Sequence, residues 1–216
     1  MTTVGTVPAV RSDADGRTLG PVMGLVAVTI GFTALGAWLG RDLSGGAGLA
    51  LFIGVFALVF ALSGAAARGR EQLATGLLFA LGLVLGLAIA PVLSDYASAD
   101  PAALWQAAGL TATFVAGLGA YGYSTRRDLS SWARPLVWAL LALLGFGIVA
   151  IFVSIPGGNL IWSIGGLVIF GGFTVYDFNR LRRGTDNAVL IASSIFLDVL
   201  NIFVFVLDLL GAGKRG

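Results

Sequence analysis

Seven runs of about 20 mostly apolar residues follow one another along this chain, near positions 21–39, 47–67, 72–93, 103–123, 133–154, 159–179 and 188–210. A run of that length crosses the roughly 30 Å hydrocarbon core of a bilayer as a helix. In hydrocarbon, backbone N–H and C=O groups find no water, so each crossing must satisfy its own hydrogen bonds, which runs this long do as α-helix. The expected fold is therefore an all-α integral membrane protein with seven transmembrane helices. The first run is too long for a signal-peptide core and is followed by more spans, so it reads as a retained helix.

Polar punctuation separates the runs: Arg41-Asp42 with Ser44-Gly45-Gly46, then Arg68-Gly69-Arg70-Glu71, then Ser94-Asp95 through Asp100-Pro101, then Arg126-Arg127-Asp128. Asp100 is placed to cap helix 4 with Pro101 in its first turn, and Pro156-Gly157-Gly158 closes helix 5. Residues 1–19 form a polar N-terminal tail, 20–211 a single seven-helix domain and 212–216 a short C-terminal tail. Most of the 32 glycines lie inside the apolar runs, and Gly36 with Gly40 and Gly82 with Gly86 have the four-residue spacing that lets helix backbones approach closely.

Charge says how the helices are oriented. Twelve of the thirteen basic residues are arginine and they sit in the short connections, a topology signal rather than a nucleic-acid-binding patch, so no nucleic-acid partner is implied. With the N-terminus inside, the inner segments hold Arg11, Arg17, Arg68, Arg70, Arg126, Arg127, Arg134, Arg180, Arg182 and Arg183, against Arg41, Lys214 and Arg215 outside. That asymmetry predicts a cytoplasmic N-terminus and an outer C-terminus. Tyr96, Trp105, Trp132, Trp138 and Trp162 read as interface anchors or packing groups.

Two carboxylates break the apolar pattern: Asp177 in Val175-Tyr176-Asp177-Phe178-Asn179 and Asp198 in Ile195-Phe196-Leu197-Asp198-Val199-Leu200-Asn201. An ionised carboxylate near the bilayer centre costs roughly 2.5–3.5 kcal/mol on insertion scales, so each calls for a partner or a role. Helix 6 runs inward and helix 7 returns from the same side, which puts the two within a turn or two of one depth. Ser194, Asp198, Asn201 and Phe205 follow the spacing of one helical face, directed into the bundle. Two carboxyls held close in low dielectric share a proton and titrate in two macroscopic steps. Because the chain has no histidine, such a pair is the obvious sensor for neutral-range pH. When the proton leaves, a counter-charge is needed, from Arg68, from a local arginine such as Arg180, or from a metal ion. The plain alternative is that each Asp is paired with an arginine or a neighbouring helix for packing alone.

A Tyr-Asp on one helix and a second Asp on the next resembles the intramembrane aspartyl proteases related to presenilin, but the Gly-x-Gly-Asp and Pro-Ala-Leu elements of that family are missing: this chain has Ile195-Phe196-Leu197-Asp198. An enzyme is therefore not expected. Four other segments occur in order: Pro91-Val92-Leu93-Ser94-Asp95-Tyr96-Ala97-Ser98, Arg127-Asp128-Leu129-Ser130, Tyr176-Asp177-Phe178-Asn179, and Phe196-Leu197-Asp198-Val199-Leu200-Asn201-Ile202-Phe203. With these and its seven spans, the chain resembles the transmembrane Bax inhibitor motif family, its bacterial members in particular.

That resemblance implies six helices in two three-helix layers around a central C-terminal seventh, and a pH-sensitive calcium leak in a bacterial inner membrane. It implies that Asp177 and Asp198 form the hydrogen-bonded, proton-sharing pair and a transient Ca²⁺ site, and that Arg68, 23 residues before Pro91, is the latch, with Arg70 as its neighbouring alternative. Asn201, Arg180 and Asp208 are supporting candidates. Asp208 marks a departure, since Leu207-Asp208-Leu209-Leu210-Gly211 carries an acid where the family commonly has arginine. No cofactor is implied; calcium enters as the transported ion, and two carboxylates fall short of its usual six to eight oxygens. The implied partners are membrane lipids and calcium ions. A second reading makes the protein a non-transporting regulator of a membrane quality-control protease or stress response, which adds a membrane protein partner.

Overall fold

The structure, a computed structural model, describes residues 14–43, 48–184 and 186–212. Residues 1–13 of the polar tail with Arg11, the Ser44-Gly45-Gly46 turn, and Lys214 and Arg215 of the C-terminal tail lie outside them. Among these residues seven α-helices run in order: α1 Ala14–Leu39, α2 Gly48–Ala67, α3 Glu71–Ala99, α4 Pro101–Ser124, α5 Ala133–Phe152, α6 Gly158–Arg183 and α7 Ala188–Ala212, with a 3₁₀ turn at Ser130–Trp132 before α5. Six are long and apolar enough to span a bilayer. The remaining helix, α2, has 20 residues, about 30 Å of rise, with a shorter apolar stretch at Ile53–Ala67.

Several helices outrun their apolar cores. α1 starts at Ala14 rather than near residue 20, α3 continues through Ser94-Asp95 to Ala99, and α6 reaches Arg183. Hydrophobicity marks where a helix meets lipid; backbone hydrogen bonding carries it further into the polar zone. Pro91 sits inside α3 without ending it, and Asp100 stands at the N-cap of α4 with Pro101 in the first turn, although no capping hydrogen bond from its side chain forms. Gly157, at φ 72°, starts α6, and Gly184, at φ 62°, ends it, donating its N–H to the Arg180 and Leu181 carbonyls.

The helices form two groups of three. α1 and α2 pack on α3, and α4 and α5 pack on α6. α7 runs between the groups and touches α1, α2, α3, α4 and α6; 56% of its span is buried, against 28% for α1 and 6% for α5. This is the arrangement of six helices around a central seventh that the family resemblance implied. The glycines account for how closely α1 and α3 approach. A Cβ at Gly36 would meet the Leu83 carbonyl, at Gly82 the Thr29 carbonyl, at Gly86 the Thr33 carbonyl, and at Gly40 the Ala90 side chain. Thr29 and Thr33, buried at that seam, donate their hydroxyls to Leu25 O and Thr29 O of their own helix, so no polar atom of theirs is left open. Large apolar side chains such as Phe60, Ile151, Phe152 and Val168 cover the outside, where lipid would lie. The anchors divide: Trp105 and Trp138 are exposed, whereas Trp162 packs edge-on against Phe205, with ring centroids 5.8 Å apart.

Candidate functional site

At the end of the bundle where α6 stops and α7 begins, both intramembrane carboxylates are inside the protein. Asp177 is 3% exposed and Asp198 4%. Asp177 lies six residues before the end of α6 and Asp198 ten residues into α7, so their depths along the bundle differ by about one turn, roughly 6 Å. Close approach of α4 holds this part of α6 in place: a Cβ at Gly122 would meet the Val175 backbone, and one at Gly119 the Phe178 ring.

The surroundings of the two acids differ. Asp177 Oδ1 accepts a hydrogen bond from Arg180 Nη1 at 2.9 Å, and the same guanidinium donates through Nε to Asp186 Oδ2 at 3.0 Å while lying over the Tyr176 ring at 5.6 Å. Among the described residues, no cation is in contact with Asp198. Its Oδ2 is buried without a hydrogen-bond partner, the Asp177 carboxylate is the charge that acts on it, and the Thr174 hydroxyl is the polar group beside it. Thr174 donates to Phe170 O at 2.9 Å; having one hydrogen, it serves either that carbonyl or Asp198 at a given moment. Among the described residues no group of three or more acids could hold a metal ion together.

The supporting candidates fall in different places. Asn201, half-buried on α7, donates to Leu197 O at 2.7 Å, within its own helix. Arg68 is exposed at the end of α2 and donates to Gly64 O at 2.9 Å, so the guanidinium paired with Asp177 belongs to Arg180. Asp208 lies at the opposite end of the bundle, where it accepts a hydrogen bond from the buried Ser163 hydroxyl, near the Tyr96 hydroxyl's contact with Leu207 O.

One residue that the sequence left without a role stands next to the site. Asn179 is fully buried and donates its amide to Arg127 O at 3.1 Å, Gly122 O at 3.3 Å and Thr125 O at 3.4 Å, while its Oδ1 accepts from Leu129 N at 3.3 Å. It ties the α4–α5 connection to α6 two residues past Asp177. The only signal in the sequence was an amide inside the Tyr176–Asn179 segment; that its partners are backbone groups some 50 residues earlier cannot be read from spacing. Nearby, Arg183 Nη1 donates to Asp128 Oδ1 at 2.6 Å. The Ser130 hydroxyl and amide also donate to that oxygen, and chiefly through them the pKa of Asp128, which lies outside the spans, is held below the ordinary carboxylate range.

Comparison with known proteins follows the same lines. The family described as "Inhibitor of apoptosis-promoting Bax1" matches residues 17–215. A "Golgi anti-apoptotic protein" of vaccinia virus (strain Lister) is 32% identical over 77% of this chain and 69% of its own length. An uncharacterized protein of Borreliella burgdorferi is 28% identical over 77% of the chain and 75% of its own length, and an uncharacterized membrane protein of Vibrio cholerae is 31% identical over 59% of each.

Proposed function

We propose that this chain, which belongs to the Bax inhibitor-1 family and is an integral membrane protein with several spans, passes cations down their gradient, Ca²⁺ foremost, under control of the protons held by Asp177 and Asp198. The observation that carries the reading is the inequality of the two carboxylates. Asp177 has Arg180 as its counter-charge, whereas Asp198 is 4% exposed with one oxygen unpartnered and no cation in contact. A buried carboxylate in that position is stable with a proton or with a cation beside it, and strongly disfavoured with neither. Protons and hard cations therefore compete for the same oxygens. Calcium suits oxygen ligands, and a two-carboxylate site completed by water holds it briefly, which favours passage over storage.

The charge distribution supports a cytoplasmic α6–α7 end, and the bacterial relatives favour a bacterial cell membrane as the setting. Arg68, Arg70, Arg126, Arg127, Arg134, Arg180, Arg182 and Arg183 gather at that end, against Arg41 at the other among the described residues.

The experiment is calcium entry into liposomes carrying the purified protein, followed from pH 5 to pH 8. Asp198→Asn removes the unpartnered charge and is expected to abolish the pH dependence of the flux; Asp177→Asn is expected to change both its level and its profile. Unaltered profiles in both variants would refute the proposal.

A further inference from the structure

From the position of the Arg180 guanidinium between a buried and an exposed carboxylate, we infer that Asp186, in the α6–α7 connection, is a positioning residue that steers Arg180 onto Asp177, so that the connection regulates the site. The inference rests on the proposed cation pathway for its functional consequence and on geometry for its cause.

Arg180 is one turn beyond Asp177 on α6, at i+3, and its side chain has to bend back along the helix to reach it. A long arginine side chain has many rotamers, and a single contact at its tip would fix few of them. The second contact lies nearer the stem: Nε donates to Asp186 Oδ2 at 3.0 Å while Nη1 donates to Asp177 Oδ1 at 2.9 Å. Two carboxylates thus hold one planar group by two different nitrogens, which orients as well as neutralises it.

The three side chains form a gradient from interior to water. Taking side-chain atoms alone, Asp177 is 5% exposed, Arg180 20% and Asp186 39%. Asp186 is thus open to ions in solution, whereas Asp177 is covered in this arrangement. It also lies past Gly184, where α6 has ended, in the short link to α7, and so belongs to the connection rather than to the helix. Among the described residues, the charged and titratable groups in contact with the guanidinium are Asp177 and Tyr176 on its own helix and Asp186 on the connection, with Asp198 on α7 beyond Asp177.

Both bonds exist in the same structure, so the Asp186 bond favours the state in which Arg180 covers Asp177. Removing it lowers the occupancy of that state. A half-exposed ion pair of this kind is worth up to about 1 kcal/mol, which corresponds to a roughly two- to fivefold change in the ratio of covered to uncovered Asp177. A cation bound to Asp186 from solution acts in the same direction as its mutation.

The test is a cycle of Asp186→Asn, Arg180→Gln and the double variant in the liposome calcium assay, with Asp186→Glu as the conservative replacement. Asp186→Asn is expected to raise calcium entry about two- to fivefold, Asp186→Glu to restore most of the wild-type rate, and Asp186→Asn to add nothing once Arg180 is Gln. An Asp186→Asn effect that persists in the Arg180→Gln background, or no effect at all, overturns the inference. Should the wild-type protein carry no calcium, the proposed function has failed, and the melting temperatures of wild type, Asp186→Asn, Arg180→Gln and the double variant in detergent decide the inference separately. Non-additive shifts of Asp186→Asn and Arg180→Gln sustain the steering contact, and additive ones reject it.

Discussion

Replacing Asn179 with alanine tests how firmly one buried side chain fastens the α4–α5 connection, which Arg183 also holds through Asp128. The amide has two hydrogens to divide among the Gly122, Thr125 and Arg127 carbonyls, and its oxygen takes one N–H from Leu129. Counted by hydrogens, that is three bonds. At a net value of about 1 kcal/mol each, the loss comes to about 3 kcal/mol, since the side chain is fully buried and its four backbone partners are left inside the protein or at its edge. For a chain of this size about 2–4 °C of melting temperature accompanies each kcal/mol, so Asn179→Ala is expected to lower the transition by about 6–12 °C. Tryptophan fluorescence during heating in detergent is a suitable readout, and limited proteolysis at Arg126-Arg127 reports the loosened connection directly. Asn179→Asp sharpens the reasoning: it keeps the acceptor for Leu129 but turns a second acceptor toward three carbonyls, and so should be at least as harmful as alanine. A shift below about 2 °C for Asn179→Ala, or an Asp variant as stable as wild type, would refute the account.

Gly86→Ala places a methyl group against the Thr33 carbonyl and should separate α1 from α3, at about 1–3 kcal/mol for an overpacked contact. Gly76→Ala on the same helix meets nothing within 4 Å and should be neutral or stabilising; equal melting temperatures for the two variants would show that the α1–α3 seam is not tight. Asp128 has a depressed pKa, so the stability it lends is fully present above the ordinary carboxylate value of about 3.9 and is lost only as pH falls through its lower folded value. The melting difference between wild type and Asp128→Asn should therefore be the same at pH 5 as at pH 8, and a difference that varies across that window would contradict the assignment.

The membrane class, the number of helices and their order were legible in the sequence, because a bilayer imposes a length and a polarity on each crossing and those are properties of consecutive residues. The two aspartates stood out for the same reason: hydrocarbon makes a charge conspicuous without any knowledge of its neighbours. That Gly36 with Gly40 and Gly82 with Gly86 would serve close helix packing was also foreseeable, since their spacing puts small residues on one helical stripe; that the two stripes face each other was decided by the tertiary structure. What each aspartate faces was not. The sequence offered Arg68 and Arg180 alike as counter-charges; the structure holds Arg180 at Asp177 because one helical turn brings that guanidinium back along α6, while Arg68 turns to its own helix end. The buried Asp198 oxygen without a partner, the amide of Asn179 closing on a connection 50 residues away, and Asp186 holding the outer edge of Arg180 depend on where separate helices and loops stop in space. Those positions follow from packing between distant segments, and no local pattern of residue types encodes them.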